Sequence, residues 1–174
     1  MSKSKVIILW GVITAVVEIG YYEILNISGN MNGGLQSISY LLMLGGLIMG
    51  MMQYRNKVNG GYAKFGELYK VGMFMTLILA VLSVVHLVIY LQINPGLIDT
   101  IRAQAEANMV NKGMTPEQIK MGMHYTEKFT TPSMMIIFGF IGNIFGGAIL
   151  GLLAAGISAR QKPVMEEDNN ILPS

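Results

Sequence analysis

The stretch FTTPSMMIIFGFIGNIFGGAILGLLAAGISA, Phe129–Ala159, contains no Asp, Glu, Lys, Arg or His. A helix rising ~1.5 Å per residue needs about 20 apolar residues to cross a hydrocarbon core of ~30 Å. The apolar centre of this stretch, Met134–Ile157, is long enough to do so. Working outward, Val6–Leu25, Leu35–Gln53 and Val71–Ile93 have the same character. Only helices and closed barrels satisfy every backbone polar group inside lipid, and barrel strands need no more than about 11 residues. The pattern therefore predicts an all-α protein, an integral membrane four-helix bundle.

Composition agrees. The chain has 174 residues, 52% hydrophobic and 13% charged, against roughly 25% charged in an average soluble domain. That length fits one membrane domain over residues 1–162, with a disordered cytoplasmic tail expected over 163–174. A net charge of +2, with its basic residues scattered between spans, gives no footprint for nucleic acid. With no cysteine there can be no disulfide, thiolate metal site or cysteine nucleophile. The opening Met1-Ser2-Lys3-Ser4-Lys5 before Val6–Val17 has the outline of a secretory signal, but no A-x-A-like cleavage site follows it. A retained first span is expected.

Charges between the spans orient them. Lys3, Lys5, Arg55, Lys57, Lys64, Lys70, Arg160 and Lys162 fall on one side, 8 of the 12 Lys and Arg. The other side carries Arg102, Lys112, Lys120 and Lys128, matched by Asp99, Glu106, Glu117 and Glu127. The positive-inside rule then places both termini in the cytoplasm of a cell whose inner membrane holds the protein. Turn chemistry separates the spans at Asn26–Gly34, at Asn59-Gly60-Gly61 and at Asn94-Pro95-Gly96. Between spans three and four, Ile98, Ile101, Ala105 and Met109 recur at helical spacing. Gly113 offers a stop, and Thr115-Pro116-Glu117-Gln118 reads as a capping box with proline at the first helical position. An extracytoplasmic helical hairpin over residues 95–131 is expected, lying on the outer surface or capping the bundle.

Four polar side chains stand out within the spans: Glu18, Tyr40, His86 and Asn143. Placed symmetrically about the midplane, they lie ~4, ~7, ~6 and ~4 Å toward the outer face. A carboxylate at such depth costs ~2.5–3.5 kcal/mol on insertion scales if charged, so Glu18 should be partnered or protonated. One reading has Glu18 and His86 sharing a proton at a solute site. The other treats the four as interhelical hydrogen bonds that set register, at ~0.6 kcal/mol each. Glu23, Tyr21, Tyr22 and Tyr90 fall nearer the outer interface, where tyrosines anchor at headgroup level and Glu23 can reach water.

Span four carries small residues every four positions: Gly139, Asn143, Gly147, Gly151 and Ala155, with Gly142 and Gly146 as a second pair. Gly46 and Gly50 match them on span two. Small residues at this spacing let another helix approach, either within the bundle or across a homodimer seam. Fifteen methionines, Met121 and Met123 beside His124 among them, raise the question of soft metals. Methionine is more often a gap filler, and no M-x-x-M cluster with repeated histidine occurs. No metal, cofactor or catalytic set is expected.

The link Tyr54-Arg55-Asn56-Lys57…Gly60-Gly61-Tyr62…Phe65-Gly66…Tyr69-Lys70…Gly72, with an uncharged glycine-rich last span and an outer helical segment, resembles a bacterial family of small four-span membrane proteins. That family is catalogued as domain of unknown function 4199 and would cover about Ser4–Arg160. It implies inner-membrane location and four helices, and brings no established activity, cofactor or catalytic residue.

Two functions remain in view. The first is a non-enzymatic accessory or structural component, with the bilayer and a membrane-protein partner or second copy as its contacts. The alternative is a small proton-linked transporter or channel using Glu18 and His86. A water-connected cavity reaching Glu18 favours the alternative; a dry, fully packed core favours the first.

Overall fold

The computed structural model describes residues 2–29 and 33–162. Residues 30–32, part of the stretch where turn chemistry is expected, and the tail 163–174, expected to be disordered, lie outside them. Seven helices follow in order: α1 (Lys3–Ile27), α2 (Gly33–Gln36), α3 (Ile38–Lys57), α4 (Phe65–Ile93), α5 (Leu97–Asn111), α6 (Pro116–Phe129) and α7 (Pro132–Ser158). Among the described residues there is no named strand, so the fold is all-α as the hydropathy predicts. Four helical segments, 3–27, 34–57, 65–93 and 132–158, are long and apolar enough to cross a membrane. Their outward faces carry Val16, Leu41, Phe74, Ile89, Phe145, Ile149 and Leu152, all exposed. Lipid suits such a surface; water does not.

The spans overrun the apolar windows. α4 begins at Phe65 rather than Val71, because polar residues there still complete helical hydrogen bonds. Leu35 and Gln36, expected within span two, belong instead to the short turn α2.

α1 and α7 each pack against both α3 and α4. Packing is concentrated at the end that carries residue 3 and residue 160, termed here the closed end. Val6, Gly11, Thr14 and Ala15 of α1 are buried there, as are Met43, Leu47, Gly50, Met51 and Tyr54 of α3. Leu68, Val71, Gly72, Met75, Thr76, Leu79 and Ala80 of α4 join Gly147, Gly151, Ala154, Ala155 and Ser158 of α7. Toward the opposite end, where α5 and α6 sit, Leu25 is the single buried residue among the described parts of these four helices. The bundle is tight at one end and loose at the other.

Polar contacts lock the closed end. Trp10 Nε1 donates to Gln53 Oε1. Tyr54 Oη donates to Glu67 Oε1 at 2.5 Å, and Asn59 Nδ2 donates to Glu67 Oε2 at 3.0 Å. Ala63 and Arg160 exchange backbone hydrogen bonds of 2.9 and 3.0 Å as an isolated antiparallel bridge. Arg55 Nη1 donates to Ser158 O at 2.8 Å. The basic link is thus an ordered hairpin, turned by Gly60 and Gly61 with φ of 65° and 91°, values that suit glycine.

At the loose end, α5 and α6 pack against each other as a hairpin. Its turn residue Gly113 has φ 71°, and both halves of the Thr115–Gln118 capping box form. Arg102 of α5 donates to Thr130 O beyond α6 at 3.0 Å. Phe129 meets Phe138 of α7 with ring centroids 5.9 Å apart.

Candidate functional site

Glu18 opens onto a cavity of ≈ 280 Å³ between α1, α3 and α4, walled also by Ile19, Tyr22, Ser39, Ser83, His86, Leu87 and Tyr90. The wall has a simple origin. Glu18 and Tyr22 are four apart on α1, while Ser83, His86, Leu87 and Tyr90 follow the i, i+3, i+4, i+7 rhythm of one helical face. Because this end lacks close packing, the face meets space rather than a neighbour.

The four polar residues singled out in the sequence separate in the structure. Glu18 and His86 line the same cavity. They do not pair: His86 Nε2 lies 2.8 Å from Glu23 Oε1. Tyr40 is 61% exposed on the outward face of α3. Asn143 turns back on its own helix, donating to Gly139 O at 2.9 Å. Neither lines the cavity.

Glu18 Oε1 is buried with no hydrogen-bond partner among the described residues. Buried polar atoms almost always find partners, so such an oxygen calls for an explanation. No Lys or Arg stands in the wall, and Nε2 of His86 is engaged by Glu23.

Three rings complete the site. Tyr22 sits edge-on to His86 and to Tyr90, each at 6.2 Å between centroids, and His86 lies 5.9 Å from Tyr90. Asn26 Nδ2 donates to Tyr90 Oη at 2.6 Å. A second cavity of ≈ 380 Å³ shares His86 and Tyr90 and adds Glu23, Asn26, Ile89, Ile93 and Asn94. The Glu23–His86 pair thus stands between the Glu18 cavity and the loose end.

Residue type identified Glu23, Tyr22 and Tyr90, but depth assigned them to the interface. Ser39 and Ser83 carry no signal of their own beyond the helical face on which Ser83 lies.

The glycine ridge divides as well. A Cβ on Gly147 would meet the Thr76 side chain at 2.2 Å, and one on Gly151 would approach Tyr69 at 3.5 Å. One on Gly139 would lie 3.8 Å from Leu87. These three face α4 inside the bundle, whereas Gly142 and Gly146 would meet nothing within 4 Å.

Fold and site together define a helical membrane protein with four helices of spanning length and a cavity, holding one carboxylate, between three of them. Residues 7–160 match the family described as Protein of unknown function (DUF4199), and the chain belongs to that family. No curated protein matches it, and no solved structure does.

Proposed function

We propose that this chain is a non-enzymatic four-span protein of the bacterial inner membrane, with both termini cytoplasmic, that moves a small solute or protons through the cavity at Glu18. The observation carrying this reading is that Glu18, whose Oε1 is buried without a hydrogen-bond partner among the described residues, stands in the wall of that cavity. A charged carboxylate so placed is costly unless it takes up a proton or a partner arrives to meet it. A neighbouring cavity shares His86 and Tyr90 with the Glu18 cavity toward the loose end, and close packing at the other end supports access from one side.

A second reading, the accessory component, draws on the α5–α6 hairpin. Its helices pack on each other and leave Val110, Met121 and Tyr125 exposed, as a surface for another membrane protein or a second copy would be.

The test exploits the cysteine-free sequence. Ser83→Cys provides a single thiol in the cavity wall, expected to react with a membrane-impermeant methanethiosulfonate added outside. In liposomes, an imposed pH gradient should collapse about tenfold faster than in protein-free vesicles, a gap of ~1.4 kcal/mol in barrier, and Glu18→Gln should abolish the difference. An unreactive Ser83→Cys removes the cavity. Flux that survives Glu18→Gln removes the proton site, and collapse no faster than in protein-free vesicles leaves the accessory reading in place.

A further inference from the structure

We infer that the Glu18 cavity is a binding site for a small organic cation, a quaternary or protonated amine, an assignment that rests on the preceding reading that the cavity receives a solute. Four observations converge on this chemistry.

The first is charge. The wall contains one carboxylate with a free buried oxygen and no Lys or Arg. A neutral apolar occupant would leave that oxygen unpaired, and an anion would be repelled by both Glu18 and nearby Glu23. The second is surface. Tyr22, His86 and Tyr90 cluster at 5.9–6.2 Å around the same space, and electron-rich rings attract ammonium groups through their faces. The third is the balance of lining atoms. Inorganic Ca²⁺ takes six to eight oxygens and Mg²⁺ near-ideal octahedral geometry, whereas here Ile19, Leu87 and three rings accompany one free carboxylate and a few hydroxyls. Methylene and methyl groups suit such a wall; a hard metal ion does not. The fourth is size, since ≈ 280 Å³ admits an ion of choline dimensions.

Protons and the cation compete for the same oxygen, so binding weakens as pH falls. The other titratable groups around Glu18 are Tyr22 on its own helix and His86 and Tyr90 on α4, with Glu23 held to His86; α3 contributes only neutral Ser39.

Choline and its uncharged carbon analogue 3,3-dimethylbutan-1-ol differ in one atom and in charge. With the full-length Ser83→Cys protein in nanodiscs, choline at about ten times its dissociation constant should slow thiol labelling about tenfold, by leaving one site in roughly eleven free. The analogue should not protect. Equilibrium binding of radiolabelled choline to the unsubstituted chain repeats the comparison without the reporter thiol, and Glu18→Gln should lose that binding. Equal protection by the analogue, or a reactive thiol that choline never protects, overturns the cation assignment while leaving the cavity intact. Loss of all labelling strikes the underlying reading instead. Because the two probes are compared on the unsubstituted chain, the result stands even if Glu18→Gln fails to fold.

Discussion

Thr14 shows how a single side chain selects its neighbour. Its Oγ1 donates to Trp10 O at 2.7 Å, holding the hydroxyl against α1, while its β-carbon faces Gly46 of α3. A Cβ on Gly46 would lie 2.1 Å from Thr14 Oγ1 and 3.0 Å from Thr14 Cβ, an overlap a branched, buried residue cannot relieve by rotating. Gly46→Ala should therefore destabilise the bundle by ~1–3 kcal/mol, as overpacking does. Gly142→Ala, with open space around it, should be close to neutral. Unfolding of both variants in SDS decides the point, and equal midpoints would remove the claim. The sequence displays both glycine pairs at the same spacing, so spacing cannot distinguish them; the neighbours do, Thr14 for Gly46 and Met75 with Trp10 for Gly50. The histidine's partner was hidden for a geometric reason. The apolar window centred span three on residue 82, but α4 starts at Phe65 and its midpoint is residue 79. From the helix midpoints, His86 lies ~10 Å out and Glu23 ~12 Å, with Glu18 at only ~4 Å. His86 is level with Glu23.

At the scale of elements, the helices whose signals are local were the most legible. α6 begins where Thr115-Pro116 places it and α5 stops at the glycine turn, because caps and breakers act within one turn of chain. What holds α5 to α6 was not legible, because it joins residues far apart in sequence. Arg102 Nη2 reaches Thr130 O and, at 3.4 Å, Glu127 O, meeting carbonyls that the end of α6 leaves free. Arg102→Leu keeps much of the apolar stem and deletes these bonds. The hairpin should lose about 1–2 kcal/mol, seen as faster amide exchange in α5 and α6 with the four spans unchanged. Protection that stays the same in the hairpin, or falls equally throughout, would count against this role.

For the whole molecule, hydropathy revealed the number of long apolar helices because each must meet lipid along its length. The unequal packing along the bundle was invisible, since both ends of every span are equally apolar. Topology is open to direct measurement. With no native thiol, Gln104→Cys on the exposed side of α5 should label in intact cells, and Lys57→Cys only after permeabilisation. The reverse pattern would invert the molecule and move the Glu18 cavity to the cytoplasmic leaflet.

Helices clamped at one end behave as cantilevers. From Thr76 in the buried layer to Tyr90 is fourteen residues, a lever of ~21 Å, so a tilt of about 5° at the clamp displaces the far ring by about 2 Å. Displacements of that size change what fits between Tyr22 and Tyr90 while barely disturbing Thr14, Gly46, Thr76 or Gly147. The Asn26–Tyr90 and Glu23–His86 hydrogen bonds join the far arms of α1 and α4, so membrane thickness or lateral pressure would widen the pocket between them only where those two ties give way.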